Sequence, residues 1–152
     1  MTRHELKFTL YYSQTFEEMH ARFWGRADRL LTFLQIVLGS AVFADVGNNM
    51  LFGGLLVALS SASFVLQPAM AAIRHTKRDA MYTALILRES QLSDEQLQIE
   101  LAKAAEDKPT TLGLLANPAH MRACIEIGCP PTTTLTFWEK MAALIAGDIP
   151  RV

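Results

Sequence analysis

A stretch of 24 residues without a charge, Met50 to Ile73 (MLFGGLLVALSSASFVLQPAMAAI), constrains the fold of this chain more than any other feature. As a helix rising about 1.5 Å per residue it is roughly 36 Å long, enough to cross about 30 Å of hydrocarbon with some tilt. An earlier apolar stretch, Leu30 to Ala44 (LLTFLQIVLGSAVFA), has 15 residues. That length alone suits a buried core helix or a re-entrant segment as well as a span. Its flanks favour a span. Arg29 can snorkel at one boundary, while Asp45, Asn48 and Asn49 can sit among headgroups at the other.

Charge placement is an independent test. Arg22, Arg26 and Arg29 precede the first stretch, and Arg74, His75, Lys77 and Arg78 follow the second. The segment between them, Asp45 to Asn49, has no Lys or Arg. The positive-inside rule therefore places both outer flanks in the cytoplasm and the short turn outside. The expected architecture is all-α: a membrane hairpin of two transmembrane helices with cytoplasmic helices, both termini inside, in a cell inner membrane. It divides into an N-terminal cytoplasmic arm and lead-in helix (1–29), the hairpin (30–73), a cytoplasmic helical extension (74–106) and a C-terminal cytoplasmic helical segment (107–152). A central helix of a soluble all-α domain is the competing explanation for the long apolar stretch.

Composition agrees with this. Charged residues make up 19% of the 152, below the roughly one quarter of soluble domains, and the apolar excess is gathered between Leu30 and Ile73. The net charge of −1 gives no general attraction to nucleic acid or anionic lipid. The first 29 residues carry charges throughout, so no cleavable signal peptide is expected. Cys124 and Cys129 lack His or Cys at ligand spacing and suit small core residues in a reducing compartment.

Lipid tails supply no hydrophobic drive between helices, so small residues and side-chain hydrogen bonds must hold such a hairpin together. Candidate packing or pore-lining positions are Gln35, Gly39 and Ser40 on the first stretch and Gly54, Ala58, Ser61 and Gln67 on the second. Gly54 and Ala58 have small-xxx-small spacing, which serves either the hairpin or contacts between protomers. Gln35 and Gln67 are the deepest polar side chains, suited to a hydrogen bond inside the hairpin or to a pore wall. Pro68 is expected to kink the second helix near its cytoplasmic end.

Outside the hairpin, Thr15-Phe16-Glu17-Glu18 fits a capping box, predicting a helix that starts there and runs through Phe23 and Trp24 into the first span. Leu6 to Tyr12 partly alternates, as in a short strand or a frayed arm. After Ile73 the helix is expected to continue to about Ser90–Ser93, with Met81, Leu85 and Leu92 at helical spacing. Ser93-Asp94-Glu95-Gln96 predicts a helix to about Ala105 with a narrow seam of Leu97, Leu101 and Ala104 or Ala105. Asp107 to Thr111 suggests a linker, Asn117-Pro118 a helix start, Gly128 its end, and Pro130 to Thr134 a connector. Thr136-Phe137-Trp138-Glu139 opens a last helix ending near Gly147. Its Phe137, Trp138, Met141, Leu144 and Ile145 suit core packing better than a membrane interface, because Lys140 is its only cation.

Chemistry is sparse. His4, His20, His75 and His120 are scattered without helical ligand spacing, and no nucleotide or nucleophile-elbow signature occurs. Glu17 and Glu18 are assigned to capping. His120 and Arg122 lie near Cys124, but Cys124 falls on an apolar helix face. No catalytic residue, cofactor or metal is expected.

The order of an Arg- and aromatic-rich lead-in helix, a first span, a short turn and a small-residue-rich second span, followed by Arg74-His75-Thr76-Lys77 and Tyr82-Thr83-Ala84-Leu85, resembles the SLATT group of bacterial two-span proteins. The likeness covers Thr15 to Ala105, about 90 of the 152 residues, and rests on architecture with a loose His/Lys/Tyr/Leu/Glu pattern. From Leu112 onward it has no counterpart. The resemblance implies a homo-oligomeric effector of a bacterial or phage conflict system, whose spans breach the inner membrane when a separate sensor protein detects infection. Alternatives are a membrane-anchored scaffold or interaction protein, and a phage holin or superinfection-exclusion protein. The lipid bilayer and further copies of the chain are the expected partners, with no nucleic acid.

Overall fold

The computed structural model describes residues 1–45, 47–106, 110–130 and 133–149, and these are helical with no strand. Val46, most of the linker at 107–109, Pro131 and Thr132 of the connector, and residues 150–152 lie outside the described residues.

Helix α1 (Arg3–Phe43) has 41 residues, about 62 Å at 1.5 Å per residue. It starts at Thr2, whose side chain accepts from the Glu5 amide while Glu5 returns the bond to the Thr2 amide. The capping box expected at Thr15 does not form. Thr15 and Glu17 lie in mid-helix and are buried, and Leu6 to Tyr12 is neither strand nor frayed arm. The reason is tertiary: Leu6 and Leu10, one turn apart, are fully buried in a cluster with Tyr82, Leu85, Leu97, Leu101 and Ala104. Docking that stripe holds the first turns helical and overrides the local start signal.

Ala44 and Asp45 turn away from α1, and Asn48 caps α2 (Asn49–Leu66), which packs back along α1, by accepting from the Leu51 amide. The second apolar stretch is not one helix. Gln67 adopts the left-handed conformation (φ 45°, ψ 53°), and α3 (Pro68–Arg88) begins at Pro68. Pro68 has no N–H to donate and disfavours helical geometry in the residue before it, so the break falls there. From the break, α3 runs antiparallel along α1: Ala72 lies beside Gly25, His75 beside Glu17, Asp79 beside Gln14, and Glu89 beside Arg3 and Lys7.

A 3₁₀ turn (Glu89–Gln91) leads to α4 (Asp94–Ala105), whose Ser93–Gln96 capping box and buried Leu97, Leu101 and Ala104 match the expected seam. On the other side of α1, a 3₁₀ turn (Gly113–Leu115) opens α5 (Ala116–Glu126). Leu115 takes the N-cap position, so Asn117 is inside the helix rather than capping it. Helix α6 (Phe137–Ala146) is capped by Thr136 and Glu139 as expected and ends at Gly147 in the left-handed region. Its packing is the reverse of expectation. Ala142 and Ala146 join Met19, Leu115 and Ala119 in a second core cluster, while Phe137, Trp138, Met141, Leu144 and Ile145 stay exposed.

The paired ends of α1 and α2 leave this helical body as an apolar finger. No residue of α2 is buried. Phe33, Ile36 and Val37 on α1 and Leu51, Val57, Phe64 and Val65 on α2 are all exposed. Among the described residues, only the run from Asn49 to Gln91 is long and apolar enough to cross a membrane by itself, and none of its apolar stretch is buried. The expected first span falls short of that mark. Its helical part, Leu30 to Phe43, is about 21 Å long against about 30 Å of hydrocarbon.

Candidate functional site

Two features of the fold bear on function: the finger, and a buried polar cluster at its base. Within the finger, Gln35 Nε2 donates to Ser63 Oγ at 2.8 Å, and Gly39 faces Leu56 with room for a Cβ between them. These two candidates pack the hairpin. Ser40 instead bonds back to the Ile36 carbonyl and faces outward. Gly54, Ala58 and Ser61 are also exposed, and a Cβ on Gly54 would meet nothing within 4 Å. The small-xxx-small pair therefore does not serve the hairpin. Gln67 is exposed at the helix break.

The basic flank is more divided than its sequence suggests. Arg22 pairs with Glu18 one turn away, and Arg29 Nε donates to the Gly25 carbonyl at 3.0 Å. Arg26 donates to the carbonyls of Leu144 and Ile145 (3.3 and 2.9 Å), supplying the cation that the last turn of α6 lacks. Arg74 and Lys77 are exposed, whereas Arg78 is buried and turned into the body.

Arg78 belongs to a cluster that sequence reading misses. Glu17 on α1 accepts from His75 Nδ1–H at 2.6 Å and from Arg78 Nε–H at 2.7 Å, both on α3. Arg78 also donates to the Tyr82 hydroxyl at 3.1 Å, which reaches the Ala104 carbonyl at 3.4 Å. Burial alone would raise the Glu17 carboxyl. The hydrogen bonds from His75 and Arg78 and their charges outweigh it and hold the carboxyl below its ordinary range. Glu17 is thus an ion-pair acceptor and not a cap. The legible signal is spacing: Glu17 and His20 on one helix, and His75, Arg78 and Tyr82 on the other, recur at three to four residues on buried stripes.

His20 stacks on His75, with ring centroids 4.7 Å apart. Its Nδ1–H donates to the Phe16 carbonyl at 2.7 Å, and its Nε2 accepts from the Leu112 amide at 2.8 Å. Both nitrogens are satisfied only in the neutral ring. Burial pushes its pKa down, and the charge of His75 adds to this against the bonds to Phe16 and Leu112 and the charge of Glu17.

Beside this cluster, a cavity of about 300 Å³ lies at the helix break, lined by Trp24, Val65, Leu66, Gln67, Met70, Ala71, Arg74, His75 and Thr110. Trp24 Nε1 and His75 Nε2 are buried there without hydrogen-bond partners. Elsewhere, Cys124 Sγ lies 3.7 Å from His120 Nδ1. Burial, with a contribution from Cys129, pushes the Cys124 thiol up, so it lacks the thiolate character of an activated nucleophile. Among the described residues no three His, Cys, Asp or Glu side chains converge on a metal position.

The described chain is therefore an all-α protein with one helical run, Asn49–Gln91, apolar and long enough to cross a membrane although broken at Gln67, and with a helical body that holds a buried ion-pair cluster. No family model, curated protein or solved structure matches it.

Proposed function

We propose that this is a two-span protein of a bacterial or phage-encoded inner-membrane system, with both termini cytoplasmic, which self-associates and perforates or perturbs the bilayer. The observation that carries the reading is the finger, which exposes large apolar side chains on both its helices and whose second helix buries nothing. In water so large an apolar surface would drive aggregation; in hydrocarbon it is at home. Arg29 and local thinning of the bilayer accommodate the shorter α1 segment. The tip, with Asp45, Asn48 and Asn49 and no described cation, opposes a base ringed by Arg22, Arg26, Arg29, Arg74 and Lys77, as the positive-inside rule requires. Gly54, Ala58 and Ser61 face away from the hairpin and give a second copy a surface for close approach. The SLATT resemblance supports the effector role and a separate sensor protein as its trigger.

The test is reconstitution of the purified chain. A carbonate-resistant, detergent-extracted oligomer that releases a trapped dye from liposomes supports the proposal. Intact membrane potential and growth on induction, with the genomic partners present, would sink it. A second reading, a membrane-anchored scaffold, is favoured by the exposed apolar face of α6, which suits a protein partner. Trp138→Glu with Leu144→Glu separates the two: a scaffold loses its function, whereas a pore keeps leaking.

A further inference from the structure

The cavity at the helix break combines three features that the packing of the chain leaves unexplained. His75 is fully buried, and with Nδ1 committed to Glu17, its Nε2 has no hydrogen-bond partner. Trp24 Nε1–H is a buried donor with no acceptor. Native structures rarely leave such groups unmet, and each costs the desolvation of a polar group unless water or a ligand pairs with it. Arg74 adds a guanidinium to the same wall, with Gln67 and Thr110 beside it, while Val65, Leu66, Met70 and Ala71 form an apolar side. Val65, Leu66 and Met70 are also exposed on the outer surface of the molecule, so the apolar wall continues into the face of the finger.

We infer that this cavity binds the headgroup of an anionic, hydroxylated phospholipid of the cytoplasmic leaflet. The inference rests on the membrane insertion of the finger. Insertion puts the helix break at the depth of the headgroups, where basic pockets between spanning helices hold lipid phosphates. The phosphodiester accepts from Arg74 and Trp24 Nε1–H. A headgroup hydroxyl, which can donate or accept, pairs with His75 Nε2, and an acyl chain lies along Val65, Leu66 and Met70. The volume, about 300 Å³, is at the small end of ligand pockets and suits a headgroup with its chains left outside.

The experiment uses the full chain with Trp138→Phe, which leaves Trp24 as the only tryptophan. The protein is placed in phosphatidylcholine nanodiscs doped with brominated-chain phosphatidylglycerol or, at matched bromine content, brominated phosphatidylcholine. Phosphatidylglycerol is expected to quench Trp24 at a mole fraction about tenfold lower, the scale of one set of charge-assisted hydrogen bonds. Arg74→Gln, at an exposed position, removes that preference, whereas Arg22→Gln, which is paired with Glu18, leaves it. Brominated phosphatidylmethanol has the same charge and no hydroxyl, and is expected to quench less well. Equal quenching by phosphatidylglycerol and phosphatidylcholine, or equal loss in both arginine variants, overturns the site. Equal quenching by phosphatidylmethanol overturns the hydroxylated headgroup. An Arg74-dependent Trp24 response to glycerol 1-phosphate in detergent without phosphatidylglycerol assigns the cavity to a soluble phosphate ester and overturns the lipid. A protein that enters the discs without selectivity defeats this inference alone. One that does not enter them defeats the membrane reading as well.

Discussion

Glu17 shows how one side chain ties the two long helices together. Its carboxylate is nearly buried and holds both His75 and Arg78 across the α1–α3 interface. Removing one member of a buried ion pair strands the others in low dielectric, so Glu17→Ala is expected to destabilise the body by about 3 kcal/mol, measured as the midpoint of denaturant unfolding in detergent. His20 contributes a pH dependence. Its folded-state pKa lies below the ordinary 6.5, so the unfolded chain binds the proton first. The stability gained from neutral His20 is complete above pH 6.5 and is lost as the pH falls toward the folded-state value. Between about pH 7.5 and about pH 5.5 the melting temperature should fall, and exchange of the Leu112 amide should speed up. His20→Gln should flatten that dependence. Glu17 has the same sign at lower pH: its contribution is present above its ordinary 4.5 and is lost below it. None of these roles follows from the residue types alone, because a glutamate two positions after a threonine in a polar segment fits a cap equally well.

At the scale of elements, local signals were legible where nothing overruled them. Ser93 and Thr136 cap α4 and α6 as their four-residue motifs indicate, because each bond closes within the motif. The same motif at Thr15 loses to the burial of Leu6 and Leu10 upstream. Helix α6 shows the limit of amphipathic reasoning. Its small face, Ala142, Ala143 and Ala146, is buried, while its large apolar residues face out. A stripe of large side chains marks a surface that avoids water and does not say what covers it. The end of α6 is held by Arg26, and Gly147 (φ 80°) lies so close that a Cβ there would overlap the guanidinium. Gly147→Val should cost about 1–2 kcal/mol for the left-handed backbone, in addition to the lost carbonyl bonds, and should raise hydrogen exchange in α6 before the rest of the body. In the finger, Gly54→Leu with Ala58→Leu fills a face that the hairpin does not use. It is expected to leave membrane insertion unchanged and to shift the detergent-extracted particle toward monomer, read by sizing. An unchanged particle would show that copies associate elsewhere.

For the whole molecule, the long α1 carries apolar finger and polar body on one continuous helix, so insertion depth and body position are coupled. The proposed topology makes a direct prediction in a Cys124→Ser, Cys129→Ser background. Asn48→Cys should react with a membrane-impermeant maleimide in intact spheroplasts, and Lys77→Cys only after lysis. Reaction of both in intact cells, or of neither until lysis, removes the hairpin topology.

By itself the sequence determined the features set within a few residues or by composition: the two apolar stretches, the cation-free turn at Asp45–Asn49, and the caps at Ser93 and Thr136, whereas the kink expected at Pro68 is a full break. Those follow from solvation and short-range backbone bonding. Tertiary structure alone decided that Glu17 pairs with residues 58 and 61 positions away, that Arg26 closes a helix 118 to 119 positions away, and which face of α6 is covered. These depend on which surfaces meet once α3 folds back along α1, and a residue's local neighbourhood carries no record of a partner brought to it from the other end of the chain.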